Sequence, residues 1–176
     1  MDTMEKDSVD RLNEDLAEQY PVIDPDVEGI VNRIHRLSKY IKKSLGETAA
    51  TLGLTIEDWD ILANLHCLDR SRTMSPTQLS EKVQLSSGAM TSRLDRLEKA
   101  GLIRRLPDPN DRRGVRIEPT DAATDLWGRA VDIQAAKEKM FAQPLTPDEK
   151  EVLNGLLRKM MLSFEAPQAR IHERAT

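Results

Sequence analysis

Aromatic side chains make up 3% of this 176-residue chain, two each of Trp, Tyr and Phe. That is too few for a platform on which successive unpaired bases stack. A single cysteine, Cys67, excludes an internal disulfide and a multi-cysteine zinc site. There are three histidines, no Ser/His/Asp order, no metal-ligand cluster and no glycine-rich phosphate loop. Nothing here builds an enzyme, a metal centre or a cofactor site. The longest apolar runs fall far short of the roughly 20 residues that cross a bilayer. No secretory leader pattern opens the chain. The expectation is a cytoplasmic protein with no membrane partner.

What is present is charge, unevenly placed. Hydrophobic residues are 39% and charged residues 32% of the chain, a helix-forming balance, and the net charge is −4. Residues 70–116 hold eleven Arg and Lys against five Asp and Glu, and the remainder holds 15 basic against 25 acidic residues. Screening limits attraction to about 8 Å at physiological salt, so a basic middle can meet a polyanion while the ends stay acidic.

Apolar spacing divides the chain. Residues 1–26 form an acidic extension with a short helix (Val9, Leu12, Leu16, Tyr20), closed by Pro21 and Pro25. A long amphipathic helix follows over 27–50, with Val27, Ile30, Val31, Ile34, Leu37, Ile41 and Leu45 at helical spacing. Thr55 and Asp58 mark a capped start for a helix holding Trp59, Ile61, Leu62, Leu65 and Leu68. Ser75-Pro76-Thr77-Gln78 has an N-cap serine, Pro at N1 and Gln at N3. Its short helix (Leu79, Val83) stops near Gln84-Leu85, and Ser86-Ser87-Gly88 opens another that carries Met90, Leu94 and Leu97 and ends at Gly101. Two short helices joined by about three residues make a helix-turn-helix. Thr120 caps a helix to about Ala142, with Leu126, Trp127, Ala130, Val131 and Met140 on its apolar side. Thr146-Pro147-Asp148-Glu149 opens the last helix, striped by Val152, Leu153, Leu156, Leu157, Met160, Met161 and Phe164. The polar tail 165–176 is expected to fray.

Between the helix pair and residue 120, two short apolar segments, Leu102–Leu106 and Val115–Pro119, flank a turn of Pro107, Asp108, Pro109, Asn110 and Gly114. That pattern is a β-hairpin whose tip carries Arg112 and Arg113. The fold class is therefore mainly α with a small β-wing: a winged helix-turn-helix lobe over 51–119, flanked by terminal helices. The second helix of the pair, 86–100, reads as the recognition helix. Its N-terminal turn offers Ser86, Ser87 and free N–H groups for a phosphate or base edge. Thr91, Ser92, Arg93 and Arg96 lie further along its polar surface, and Ser75 and Thr77 mark the start of the preceding helix. Asp111 and Arg113, two apart on an extended segment, share one side, so the carboxylate can orient the guanidinium for a minor groove. The partner these features imply is double-stranded DNA. A winged helix whose basic face takes a protein or RNA is the alternative.

At these residues the chain resembles the MarR family of winged-helix transcription regulators, over about residues 27–164. The family's wing pattern, Asp-x-Arg, five residues, then Leu-Thr, stands here as Asp111-Arg112-Arg113, Gly114 to Glu118, then Pro119-Thr120. Pro119 replaces the usual Leu, and a residue without an N–H leaves the end of the second wing strand as an expected unpaired edge. Ser-Pro-Thr-Gln-Leu-Ser and Arg-Leu-Asp-Arg-Leu-Glu-Lys-Ala-Gly-Leu-Ile also fit. The resemblance implies a homodimer joined through helices 27–50 and 120–164, a palindromic operator, and a repressor released by a small molecule.

Within that family a urate-responsive subgroup resembles this chain in its extra N-terminal segment, Trp59-Asp60, Arg93 and Arg105. The N-terminal Trp of that subgroup is absent; Leu16 or Tyr20 stands near its place. The implied ligand set is His35, Trp59, Asp60, Arg93 and Arg105, with two guanidiniums near one carboxylate to clamp a small anionic metabolite. Equally weighted is a structural tie, Asp60 pairing with Arg93 or Arg105. His66 beside Cys67 could suggest a metal or redox pair; two ligands without a third favour core packing.

Overall fold

The computed structural model describes residues 5–68, 73–109 and 111–172, with the side chains of 67, 68, 113 and 166–172 outside the description. The helices are α1 (Ser8–Gln19), α2 (Pro25–Thr51), α3 (Ile56–Ala63), α4 (Pro76–Val83), α5 (Ser87–Lys99), α6 (Asp121–Phe141) and α7 (Pro147–His172). Strands β1 (Ile103–Asp108) and β2 (Asp111–Pro119) lie between α5 and α6. The chain divides into two units, Met1–Val131 and Asp132–Thr176.

The helix starts follow from their caps. Thr55 and Asp58 cap α3 reciprocally, and Ser75 and Gln78 do the same for α4. The Ser86 hydroxyl accepts the Ala89 N–H of α5 at 3.3 Å. Thr120 accepts from Ala123 at 3.2 Å, and Thr146 exchanges bonds with Glu149 at the head of α7. Each such cap contributes about 1 kcal/mol by satisfying N–H groups the helix cannot. Pro25, expected to close the first segment, instead opens α2 at N1 with Asp24 as its cap; its missing N–H costs nothing there. The α7 backbone is helical to His172, eight residues past Phe164, and runs through both Gly155 and Pro167.

The core belongs to the first unit. Ile61, Leu62, Leu65, Leu79, Met90, Leu94, Leu97, Ile103 and Ile117 are fully buried, and Leu126 and Trp127 pack against them. After Ala63 the helix widens into a π turn over Asn64–Leu68. The His66 ring stacks on Trp127 at 5.5 Å, and Trp127 meets Trp59 at 5.0 Å. His66 Nδ1 is 2.9 Å from the Leu62 carbonyl and Nε2 is 3.4 Å from the Thr124 hydroxyl. These contacts join α3 to the first half of α6 and make His66 a packing residue. The Cys67 side chain lies outside the described residues.

The hairpin is longer than its apolar segments suggest. β1 and β2 pair antiparallel from Ile103↔Pro119 to Asp108↔Asp111, with an irregularity at Pro107/Asp108. Pro107, Asp108 and Gly114 are strand residues, and Arg112 and Arg113 sit in β2. Asn110, part of the expected turn, lies outside the described residues, as do Arg70 and Arg72. Pro119 does not leave the edge open. It faces Ile103, and the next residue supplies the donor: Thr120 N–H to the Leu102 carbonyl, 3.1 Å. Met74 adds a one-residue third strand through two backbone bonds to Ile117, at 3.1 and 2.8 Å.

α1 docks on α2 by charge. Arg33 binds Asp7 at 3.0 Å and Asp10 at 2.5 Å, Arg36 donates to Ser8 at 2.7 Å, and Val9 and Asn13 are buried beneath. Gly29 allows the approach: a Cβ there would lie 3.1 Å from Arg33 Nη1 and 3.3 Å from Asn13 Nδ2. The Arg33 guanidinium, helped by the Asp10 and Val9 N–H groups, pulls the Asp7 carboxyl from 3.8 to about 2. A carboxyl depressed on folding adds stability above its unfolded value and loses it as pH falls through the folded one. The window is therefore about pH 4 to 2. Followed by NMR, the Asp7 carboxyl carbon should titrate near 2 in the native chain and move back toward 3.8 in Arg33→Gln. An unchanged titration in the variant rejects the Arg33 clamp.

The other face of α2 is uncovered. Val27, Ile30, Val31, Ile34, Leu37 and Ile41 are 40–55% exposed. α7 exposes Val152, Leu153, Leu156, Leu157, Met160, Met161 and Phe164, and α6 exposes Val131, Met140 and Phe141.

Candidate nucleic-acid interface

α4 ends at Gln84, whose φ of 58° turns the chain without a glycine, and the Leu85 N–H reaches back to the Ser80 carbonyl at 3.1 Å. α5 then starts, sunk on its Met90, Leu94 and Leu97 face. Its opposite edge carries Ser86, Ser87, Thr91 and Ser92, all exposed. The Thr91 hydroxyl donates to the Ser87 carbonyl at 2.9 Å, which leaves its oxygen outward as an acceptor. Thr77 is exposed on α4, while Ser75 is half-buried and held by Gln78. Free N–H groups at the α5 N-terminus, flanked by hydroxyls, suit a phosphate oxygen or a base edge.

Arg93, half-buried, and Arg96, exposed, lie on the polar side of α5 and are both engaged by carboxylates. Spaced three apart, they share a side of α5 and turn to the head of α3. Arg96 binds Asp58, and Arg93 reaches the Thr55 hydroxyl at 3.1 Å, Glu57 at 3.3 Å and Asp58 Oδ1 at 4.0 Å. Asp58 is fully buried, and its Oδ1 accepts no hydrogen bond. The Glu57 carboxyl sits below its usual range, first through its own backbone N–H, then through the Thr55 hydroxyl and, more weakly, Arg93. Sequence reasoning took Asp58 only as a cap. The signal for its second role was the Arg93/Arg96 spacing, which names a face but not what that face meets.

The wing is anchored by its other arginines. Arg105 of β1 binds Glu98 and, at 2.6 Å, Asp95 of α5. Arg104 crosses to Glu118 at 3.0 Å. Arg116 donates to the Thr73 carbonyl at 2.8 Å and lies 3.6 Å from Asp108. These contacts, with the Met74 bridge, tie the hairpin to α5 and to the segment before α4. Each exposed pair is worth at most about 1 kcal/mol, so the tie rests on their number. Arg112 remains exposed, with no ion pair among the described residues. The Arg113 side chain, and with it the expected Asp111–Arg113 alignment, lies outside them. Gly114 lets the strand pass close to Asp111: a Cβ there would sit 3.0 Å from Oδ2.

The proposed ligand set is not gathered. His35 is exposed on α2 and Trp59 is buried against Trp127. Burial, with Glu57 adding and Lys42 opposing, raises the Asp60 carboxyl above its usual range. Among the described residues Asp60 forms no ion pair with Arg93 or Arg105, which bind Glu57 and Asp58, and Asp95 and Glu98. The alternative of an Asp60 tie is therefore corrected: Asp58, two residues earlier and facing α5, makes it.

A capped helix pair with an exposed polar recognition edge, followed by an anchored hairpin, defines a winged helix-turn-helix. A model of the MarR family matches residues 54–115. The chain is 31% identical over 150 residues to the HTH-type transcriptional regulator PecS of Dickeya dadantii (strain 3937), covering 83% of this chain and 90% of that protein. Wild-type MarR from E. coli in its apo form superposes with a TM-score of 0.65 at 28% identity, over 73% of this chain and 93% of that one. A mutant MarR from E. coli complexed with operator DNA superposes at 0.61 with 26% identity, over 82% and 96%. This chain belongs to the MarR family, whose members here are transcription regulators rather than enzymes. It is a DNA-binding regulator of that family. Among the described residues no helix is long and apolar enough to cross a membrane.

Proposed function

We propose that two copies of this chain read an inverted-repeat duplex. Each copy sets the Ser86, Ser87, Thr91 and Ser92 edge of α5 in a major groove, with Arg112 and Arg113 of the wing in the flanking minor groove. Thr77, and Ser75 through its backbone, would approach phosphates beside that groove. The observation that carries this reading is the exposed hydroxyl-lined edge of α5 beside a wing whose exposed Arg112 has no ion pair among the described residues. Uncovered apolar faces on α2, α6 and α7 supply the second copy's seat. Recognition helices paired by two-fold symmetry fall roughly 34 Å apart, one turn of duplex. Repression, by occluding a promoter, is the regulatory sense this reading takes.

Selection of bound duplexes from a random pool tests it. The expected result is an inverted repeat with half-site centres about one helical turn apart. With the recovered duplex, Arg113→Ala should weaken binding and flatten the log-affinity against log-salt slope by about 0.9. A pool without any repeat, or a flat slope in the native chain, favours the protein- or RNA-binding alternative. The same duplex tests release. A small anion such as urate or a dicarboxylate would have to displace Glu57 from Arg93 or Asp95 and Glu98 from Arg105. Undiminished binding in their presence rejects the anionic effector.

A further inference from the structure

We infer that Asp58 sets the DNA specificity of this protein by withholding the Arg96 guanidinium from phosphates. The inference rests on the DNA-binding reading above. Arg96 lies on α5, the helix that reading places in the groove, and its side chain is 47% exposed. A free arginine there would be drawn to the nearest phosphate of any sequence. It is not free. The Asp58 carboxylate is fully buried at the head of α3, and its Oδ2 accepts from Arg96, from the Thr55 N–H at 2.8 Å and from the Thr55 hydroxyl at 2.9 Å. Its Oδ1 accepts nothing, and the Arg93 guanidinium at 4.0 Å is its only further cation among the described ion pairs. Arg96 is thus the principal counter-charge of a buried anion.

Magnitude decides which partner Arg96 keeps. Leaving Asp58 would strand a carboxylate away from water, where an unpaired charge is severely penalised. Joining a phosphate offers only a solvated contact, screened by salt. The pair therefore persists on the duplex. What α5 then shows the groove is hydroxyls: Ser86, Ser87, Thr91 and Ser92. Their hydrogen bonds need the right geometry, whereas a loose cation rewards any backbone. Non-specific affinity comes almost wholly from cations that displace counterions, so each restrained arginine lowers background binding and widens the ratio of specific to non-specific affinity. Arg93 is restrained separately, by Glu57 and Thr55.

The test measures the salt dependence of binding to a random-sequence duplex, with full-length native chain, Asp58→Asn and Arg96→Gln. Asparagine keeps an oxygen for the Thr55 cap and frees Arg96, while Arg93, which loses only its 4.0 Å approach to Asp58, keeps Glu57 and Thr55. Asp58→Asn should steepen the slope by about 0.9 and raise random-duplex affinity roughly three- to tenfold at low salt. In the double variant both gains should vanish. Arg96→Gln by itself should leave the slope as it is in the native chain. The inference is overturned if Arg96→Gln flattens the slope by about one contact, since Arg96 then already meets DNA. It is equally overturned if folded Asp58→Asn shows no steepening. Should Asp58→Asn fail to fold, the Arg96→Gln slope decides alone. A native chain that ignores duplexes at every salt concentration removes the DNA-binding reading and this inference together; native binding with a flattened Arg96→Gln slope removes only the inference.

Discussion

Ile34→Glu is expected to turn a dimer into a monomer and to cut affinity for the recovered operator by about 10³ or more. Ile34 is 40% exposed on α2, with Ile30, Val31, Leu37 and Ile41 on the same stripe and between 46% and 53% exposed. A stripe of this length is more apolar surface than a soluble monomer leaves uncovered. Covering each such side chain contributes up to about 1.5–3 kcal/mol, roughly half of that where it is already half-buried. A glutamate in the middle of that seam loses its own share. It also places an unpaired carboxylate in an apolar interface, which costs several kcal/mol. Loss of the second copy removes one recognition helix and one wing from the duplex. What remains is one half-site, whose affinity falls toward the non-specific range of about 10⁻⁴ to 10⁻⁶ M. Analytical ultracentrifugation and operator titration check both halves of the expectation. A monomeric native chain, or a monomeric variant that keeps operator affinity, defeats it. Leu156→Glu on α7, where Leu156 is 58% exposed, repeats the test from the second unit.

Leu94→Ala should lower the free energy of unfolding by about 2–5 kcal/mol. Leu94 is 1% exposed, on the face of α5 that packs with Leu62, Leu79, Met90, Leu97, Ile103 and Ile117. These residues come from α3, α4, α5 and both wing strands, so the cavity opens where every element of the reading head meets. The loss combines the transfer energy of the deleted methyl groups with the contacts their neighbours lose around the cavity. At about 2–4 °C per kcal/mol for a chain of this size, the melting temperature should fall by roughly 4–20 °C. Ser92→Ala, on the opposite edge of the same helix, should change the free energy of unfolding by less than about 0.5 kcal/mol. Thermal unfolding followed by circular dichroism distinguishes them. Equal shifts in the two variants would mean that α5 is not seated on its Met90–Leu94–Leu97 face.

The helix starts at Thr55, Ser75, Ser86, Thr120 and Thr146 were legible because a cap is local chemistry. A side-chain oxygen and an N–H three residues on need no information from the rest of the chain. The wing was legible because strand and turn residues alternate over a short span. Its extent was not: Pro107, Asp108 and Gly114 are turn formers by type, and the Met74–Ile117 bridge and the anchored ends draw them into paired strand. Pro119 was misjudged for a related reason. A missing N–H opens an edge only if no neighbour supplies another, and Thr120 does.

The sequence by itself determined that this chain makes a capped helix pair, a basic hairpin and three helices with unsatisfied apolar faces, since spacing and caps act within a few residues of one another. Only the tertiary structure decided which carboxylate each arginine meets. Arg93 and Arg96 lie more than thirty positions from Glu57 and Asp58 along the chain, and charge attracts without regard to sequence. The partner is chosen by which helix ends the packed core brings face to face, and that choice places Asp58 rather than Asp60 against α5.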